Sequence, residues 1–223
     1  MEKFQKGCPK LRVLNANHTM LSLVETPVKE QIQSPGFPLL RELYIAVDSR
    51  GYFDGMDDGQ IERVLKKSVD LRTLDVRGCQ HVTESCLIRL PTWDIEKLVV
   101  AGCSAVSSSS DGLELMVRKW SRGLKELDVS GTSGERTINN AFEALIDAAP
   151  DTVIKKLNIC STSASLKPLT RLLKNCPTIE YLNLSSCRGL PRGMKRLYSS
   201  KDAVVQLKKD ILDGKFNDNE DSD

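Results

Sequence analysis

The sequence predicts an α/β solenoid, a repeat protein in which parallel strands line one side and helices or loops line the other. Three observations predict it. One phrase rich in leucine recurs seven times along the 223 residues. Segments with the apolar spacing of amphipathic helices separate most of the copies. Aromatic residues make up 5% of the chain and hydrophobic residues 40%, so aliphatic side chains must fill the core.

The recurring phrase has the form L-x-x-L-x-L-x-x-C/T, and its first residue defines position 0. Successive copies begin 24 to 31 residues apart, close to the roughly 20–29 residues of a leucine-rich repeat. We therefore predict a leucine-rich-repeat solenoid, or horseshoe, with a parallel concave sheet of about seven strands. The seven copies are LRVLNANHT (11–19), LRELYIAVD (40–48), LRTLDVRGC (71–79), IEKLVVAGC (95–103), LKELDVSGT (124–132), IKKLNICST (154–162) and IEYLNLSSC (179–187).

Each position of the phrase has a physical reason. The apolar residues at +3 and +5 alternate as a strand requires, and they point to one side, which becomes the core. The cysteine or threonine at +8 is small enough to lie inside and to satisfy nearby backbone groups. The side chains at +2, +4 and +6 are therefore expected to face the opposite, concave side of the sheet.

Apolar stripes between the strands predict the helices of the convex side. Three prolines predict that segment 20–38 is mostly loop, and segment 49–59 is also expected to be loop. A proline that follows Cys8, Ala149 or Cys176 stops a helix just ahead of a strand. The predicted helices are 60–69, a short one near 84–90, 113–120, 138–149 and 165–175.

The chain is expected to end in a cap. Val204, Leu207 and Ile211 form one apolar face of a final helix, which can cover the last strand as solenoids require. The phrase GCP at 7–9 matches the helix-ending NCP farther along, so we expect the chain to be a piece of a longer solenoid. The predicted domains are a solenoid over 1–198, a capping helix over 199–213 and a disordered acidic tail over 214–223.

The charge, the hydrophobic pattern and the cysteines of the chain argue against several classes of function. The formal charge of +2 does not favour nucleic acid or an anionic membrane as a partner. No apolar run approaches the roughly 18–20 residues that span a bilayer. Seven cysteines without a C-x-x-C pair favour reduced thiols, and they predict neither a disulfide scaffold nor a metal site. We expect no cofactor, and an intracellular location, cytoplasmic and/or nuclear.

The cysteine or threonine that ends each strand, the NCP before a strand and a period of about 28 residues resemble the cysteine-containing repeats of F-box/LRR proteins. The stretches 119–132 and 181–198 carry the most specific part of this resemblance. It implies a protein in which an F-box binds the Skp adaptor of a cullin–RING ubiquitin ligase and the repeats hold the substrate. The residues ahead of Leu11 leave no room for an F-box. The resemblance therefore implies the substrate-binding part, which reaches Skp and cullin only through an F-box absent from this chain.

The concave face is the candidate site, and its expected ligand is a protein substrate. Tyrosine and arginine are common energetic anchors of protein interfaces, and the face mixes both with charges of each sign. The alternative for each side chain is a solvated strand residue without a partner. A second function remains open, a free-standing scaffold or inhibitor with no ligase link, whereas no group of residues supports an enzyme. The candidate contact residues are Tyr44, Asp75, Arg77, Lys97, Glu126, Asp128, Lys156 and Tyr181.

Overall fold

The computed structural model describes residues 1–19, 21, 23–48, 55–107 and 111–216, and one sheet runs through them. Strands pair in the order of the sequence, β1 to β7 in parallel, and β8 pairs antiparallel with β7. The predicted leucine-rich-repeat solenoid is therefore confirmed. The strands are β1 (Val13–Asn15), β2 (Glu42–Tyr44), β3 (Thr73–Asp75), β4 (Lys97–Val99), β5 (Glu126–Asp128), β6 (Lys156–Asn158), β7 (Tyr181–Asn183) and β8 (Leu197–Tyr198).

The register places equivalent positions of the phrase side by side. The leucine at +3 of each copy pairs with the leucine at +3 of the next, as Leu74 does with Leu98. Six of these seven leucines are at most 3% exposed, and burying one contributes about 2 kcal/mol. A stack of leucines thus runs through the solenoid and forms one face of its core.

Helices connect the strands on the other side of the core. The structure contains each of the five predicted helices, with ends shifted by a few residues. The helices are α1 (Glu2–Gly7), α2 (Val28–Gln33), α3 (Asp58–Leu65), α4 (Glu84–Arg89), α5 (Gly112–Trp120), α6 (Glu135–Asp147), α7 (Leu166–Asn175) and α8 (Lys201–Leu212), and a short 3-10 helix spans Ala105–Ser107.

Helices enter two segments that were predicted as loop or mostly loop. Helix α2 interrupts the segment 20–38 that was predicted as mostly loop, because Pro27 occupies the N-cap, where a proline breaks no helical hydrogen bond. Helix α3 begins inside the predicted loop 49–59, because Asp57 accepts the N–H of Gln60 at 2.8 Å and the Gln60 side chain accepts the N–H of Asp57 at 3.2 Å. Residues 49–54 of that loop lie outside the described residues.

The cysteines at +8 lie inside, where each thiol donates to the carbonyl at +5 of the preceding repeat. The distances are 3.5 Å from Cys79 to Ile45, 3.1 Å from Cys103 to Val76 and 3.0 Å from Cys187 to Ile159. Burial raises the pKa of the Cys79 thiol to about 11 and that of Cys103 to about 12. The thiols of Cys79 and Cys103 therefore stay protonated, and all three hydrogen bonds link neighbouring repeats.

The C-terminal edge of the sheet is covered by β8 and α8. Strand β8 was not predicted, so the sheet has eight strands among the described residues instead of about seven. Its Tyr198 is 5% exposed, and the apolar face of α8, Val204, Leu207 and Ile211, is buried. The side chain of Ser200 accepts the N–H of Ala203 and so begins α8. From residue 217 onward, the predicted tail lies outside the described residues.

Candidate functional site

The candidate site lies on the sheet face opposite the leucine stack. Residues from five neighbouring repeats meet there in one shallow depression of about 190 Å³. The structure thus brings together six of the eight predicted contact residues, and Tyr44 and Asp75 are not part of the depression's lining. The six are Arg77, Lys97, Glu126, Asp128, Lys156 and Tyr181.

A row of alternating charges crosses this depression at position +2 of β4, β5 and β6. Glu126 lies between two lysines, with its carboxylate 3.3 Å from the Lys97 Nζ and 2.6 Å from the Lys156 Nζ. Burial alone would raise the pKa of Glu126, but the hydrogen bond from Lys156 and the charge of Lys97 outweigh it and lower the pKa. Glu126 is therefore ionised at neutral pH, and its one carboxylate is shared by two ammonium groups.

Arg77 presents its charge above a buried carboxylate. Its Nη2 lies 2.6 Å from the Asp75 Oδ2, and the Asp75 side chain is 4% exposed while that of Arg77 is 53% exposed. The side-chain hydrogen bond with Asp75 raises the pKa of Arg77 further. Asp75 therefore acts on a partner only by fixing Arg77, and Arg77 is the group that a partner can touch.

Position +4 has a structural role that the sequence analysis missed. In five repeats an Asp or Asn there accepts the backbone N–H two residues ahead, which closes an Asx turn at the end of the strand. Asp128 also accepts a hydrogen bond from Asn158 Nδ2 at 2.9 Å. The recurrence of Asp or Asn at +4 is the signal that could have revealed this role. The five acceptors are Asn15, Asp75, Asp128, Asn158 and Asn183.

The two predicted tyrosines lie in different places. Tyr181 on β7 is half-buried at one end of the depression. Tyr44 on β2 donates its hydroxyl to the Glu42 carboxylate at 2.7 Å, and this bond raises the pKa of Tyr44 to about 12. Tyr44 is thus a neutral phenol outside the depression, whereas Tyr181 belongs to it.

A larger depression of about 650 Å³ lies away from the sheet face, near Trp93 and Trp120. The Lys119 Nζ is 5.1 Å from the centre of each of these indole rings. It also donates to the carbonyls of Ile88 at 2.7 Å and Leu90 at 2.6 Å. Lys119 therefore satisfies the C-terminal carbonyls of α4, which is a structural use of the cation.

Among the residues that the structure describes, no three His, Cys, Asp or Glu side chains are placed so that they could hold a metal ion. No helix in the described ranges is both long and apolar enough to cross a bilayer.

Fold and site together define a leucine-rich-repeat protein with a charged, polar sheet face. No family model matches the sequence, and neither does any curated protein. Among solved structures, the crystal structure of the Rad7 and Elc1 complex in yeast is similar over 70% of this chain, with a TM-score of 0.46 and 20% sequence identity. This chain covers 37% of the matched chain. The assignment of the fold rests on the repeated phrase and the strand register, to which a likeness this distant adds nothing.

Proposed function

We propose that this chain is a protein-recognition module that does no bond chemistry and holds a protein partner on the concave face. One observation carries the proposal: charged and aromatic side chains from five consecutive repeats line a single depression. Extended sheet faces of this kind are the surfaces with which solenoids bind partners. Arg77 and Tyr181 are of the residue types that supply the largest binding energies.

The more specific proposal is that this module is the substrate-recognition part of an SCF-type cullin–RING ubiquitin ligase. Its support is the resemblance of 119–132 and 181–198 to the C-terminal half of F-box/LRR-repeat protein 6. In such an assembly the repeats would position a target so that its lysines meet a conjugating enzyme bound elsewhere. Contact with the Skp adaptor and the cullin would be made by an F-box rather than by these repeats. This function places the protein in the cytoplasm and/or the nucleus.

The concave face can be tested without disturbing the fold. Lys156→Ala combined with Tyr181→Ala removes two side chains of the depression, whereas Asp128 is spared because it closes a turn. Loss of two anchors of about 2 kcal/mol each would weaken binding by a factor on the order of several hundred. The measurement is quantitative affinity capture of proteins from an extract, followed by titration of each captured protein in purified form.

Lys167→Ala combined with Lys174→Ala is the control, since both lysines are exposed on α7. The control should keep the partners of the unaltered chain and the concave variant should lose them. Equal capture by the concave variant and the control would remove the concave face as the binding surface.

The ligase link needs a separate measurement. The full-length product of the gene is purified from cells and probed for Skp adaptor and cullin, and the reading frame upstream of Met1 is searched for an F-box. Co-purification of both supports the ligase function. A concave-face partner that co-purifies without Skp and cullin would instead establish a free-standing scaffold or inhibitor.

A further inference from the structure

The segment that leads from β7 to α8 is basic. Between Glu180 and Asp202 there are five lysines and arginines and no acidic residue. Four of the five lie in the loop 188–196, called the basic loop below. The five are Arg188, Arg192, Lys195, Arg196 and Lys201.

Most arginines of the repeats have a carboxylate partner, whereas three cations of the basic loop have none among the described residues. Arg188, Arg192 and Lys195 are exposed. Within the described residues none of them forms an ion pair, and the Lys195 Nζ lies 5.9 Å from the centre of the Tyr198 ring. Seven arginines of the repeats each lie within 4 Å of a carboxylate. These are Arg63, Arg72, Arg77, Arg89, Arg118, Arg136 and Arg171.

The basic loop is held in place by the fourth of its cations. Arg196 Nη2 donates to the carbonyls of Leu190 at 3.1 Å and Pro191 at 3.2 Å. The backbone carbonyl of Arg196 accepts the N–H of Leu184 at 2.7 Å, which fastens the loop to the end of β7. The loop therefore displays its exposed charges from a fixed backbone, which lowers the entropic cost of binding.

The last described residues, Lys215 and Phe216, lie close to this loop. Lys195, Tyr198, Lys215 and Phe216 line one depression of about 290 Å³. Asp210 also lines it and forms an ion pair with Lys215 at 3.2 Å. Phe216 also packs on the hydrophobic core, so the point from which the chain continues is anchored. The next residues, 217–223, read NDNEDSD and carry four carboxylates. At about 3.3 Å per residue they reach roughly 23 Å from Phe216, enough to pass along the loop.

We propose that the basic loop is a docking surface for an acidic polypeptide segment and that residues 217–223 occupy it within the same chain. Opposite charges and the anchored start at Phe216 favour this occupant over others. A short tether gives the tail a local concentration on the order of millimolar. An acidic segment of another protein must then displace the tail in order to bind the loop.

The test uses the full chain in four versions: unaltered, loop variant, tail variant and control. The loop variant is Arg192→Gln with Lys195→Gln, which leaves Arg196 in place. The tail variant is Asp218→Asn, Glu220→Gln and Asp221→Asn. The control is Lys167→Gln with Lys174→Gln, which removes the same charge as the loop variant from exposed positions on α7.

The first readout is the set of amide NMR shifts of residues 217–223 at low salt. In the loop variant these shifts should move toward the values that the unaltered chain shows at about 0.5 M salt, where charges are screened within a few ångströms. The control should match the unaltered chain. Tail shifts that are the same in the loop variant and the unaltered chain would overturn the proposal.

The second readout is binding of a labelled synthetic peptide, NDNEDSD, added in trans. The tail variant should bind the peptide at least threefold more tightly than the unaltered chain, because its own tail no longer competes. The loop variant should bind it at least tenfold more weakly than the tail variant does. Equal affinity of the tail variant and the unaltered chain would show that the tail is not the occupant. A single-stranded oligonucleotide that binds the loop when the peptide does not would assign the surface to nucleic acid and overturn the proposal.

Discussion

The first repeat and the central repeats of the same solenoid are held in different ways. In the central repeats the leucine at +3 has a strand on each side, and Leu98 is completely buried. In the first repeat the equivalent Leu14 has a neighbouring strand on one side within the described residues, and it is half-buried. Its neighbour Val13 is 48% exposed. One repeat of identical pattern therefore buries much less apolar surface when one of its neighbours is missing from the described ladder.

Polar contacts hold the first repeat where apolar contacts are few. Arg63 on α3 binds Glu2 on α1 through two hydrogen bonds of 2.6 and 2.7 Å, and both side chains are largely buried. The same guanidinium donates to Thr26 Oγ1 at 2.8 Å. Gln5 donates to the carbonyl of Arg63 at 3.0 Å, and the Ser34 hydroxyl donates to the Gln5 side chain. A network of ion pairs and hydrogen bonds thus holds the first repeat in place, whereas stacked leucines hold the central repeats.

Substituting alanine for Leu98 in a central repeat and for Leu14 in the first repeat should show the largest effect of this difference in packing. Leu98→Ala should lower the free energy of unfolding by about 3–4 kcal/mol, because it leaves a cavity in a fully packed core. Leu14→Ala should lower it by about 1 kcal/mol, because solvent already reaches that side chain. Urea unfolding followed by circular dichroism measures both. Equal losses would show that the first repeat is as well packed as the centre, and the comparison would fail.

The ion pair gives the next largest effect and depends on pH. Its hydrogen bonds with Arg63 lower the pKa of Glu2 from its ordinary 4.5 to about 2. Since folding lowers this pKa, the pair stabilises the folded state fully above about pH 5, and the stabilisation is lost as the pH falls toward 2. Glu2→Gln should therefore cost about 2 kcal/mol at pH 7 and much less at pH 2.5. Unfolding curves at the two pH values test this.

Glu114→Gln is the matched control for Glu2→Gln. It removes the carboxylate that Arg118 binds at 2.8 Å on the surface of α5, and an exposed pair contributes about 0.5 kcal/mol. If Glu2→Gln cost no more than this control at pH 7, the network would not be what holds the first repeat.

The same difference explains which parts of the molecule the sequence could predict. Strands β1 to β7 and the buried thiols at +8 come from a local pattern repeated in phase, so they could be predicted. Glu2 and Arg63 are 61 residues apart, and no local pattern links them. Strand β8 could not be predicted either, because two residues outside the repeat become a strand only by pairing with β7. On the candidate face the positions could be predicted, and the recurrence of Asp or Asn at +4 could have revealed that Asp128 closes a turn. The hydrogen bond that Asp128 accepts from Asn158 could not be predicted, since it depends on the next repeat.

The smallest effect concerns the backbone at position +7, where most repeats adopt a left-handed conformation. Glycine occupies this position in three repeats, whereas Ser161 has a φ of 57° and His18 a φ of 56°. Left-handed geometry costs a residue with a side chain about 1–2 kcal/mol. Replacing it with glycine removes this strain, but the greater flexibility of glycine stabilises the unfolded chain by about 0.4–1 kcal/mol. Ser161→Gly should therefore raise the stability by about 0.5 kcal/mol.

The same substitution at His18 in the first repeat and at Ser161 in a central repeat tests whether the two regions unfold together. Both substitutions relieve the same backbone strain. If the first repeat opens before the rest unfolds, His18→Gly should raise the free energy of the cooperative unfolding transition by less than Ser161→Gly does. Thermal and urea unfolding of both variants measures this, and Ser163→Gly is the control, because Ser163 is exposed and its φ is not positive. The control should lose stability. A gain from His18→Gly equal to that from Ser161→Gly would mean that the first repeat unfolds together with the centre, so that its polar network couples it to the solenoid as firmly as leucine packing couples the central repeats.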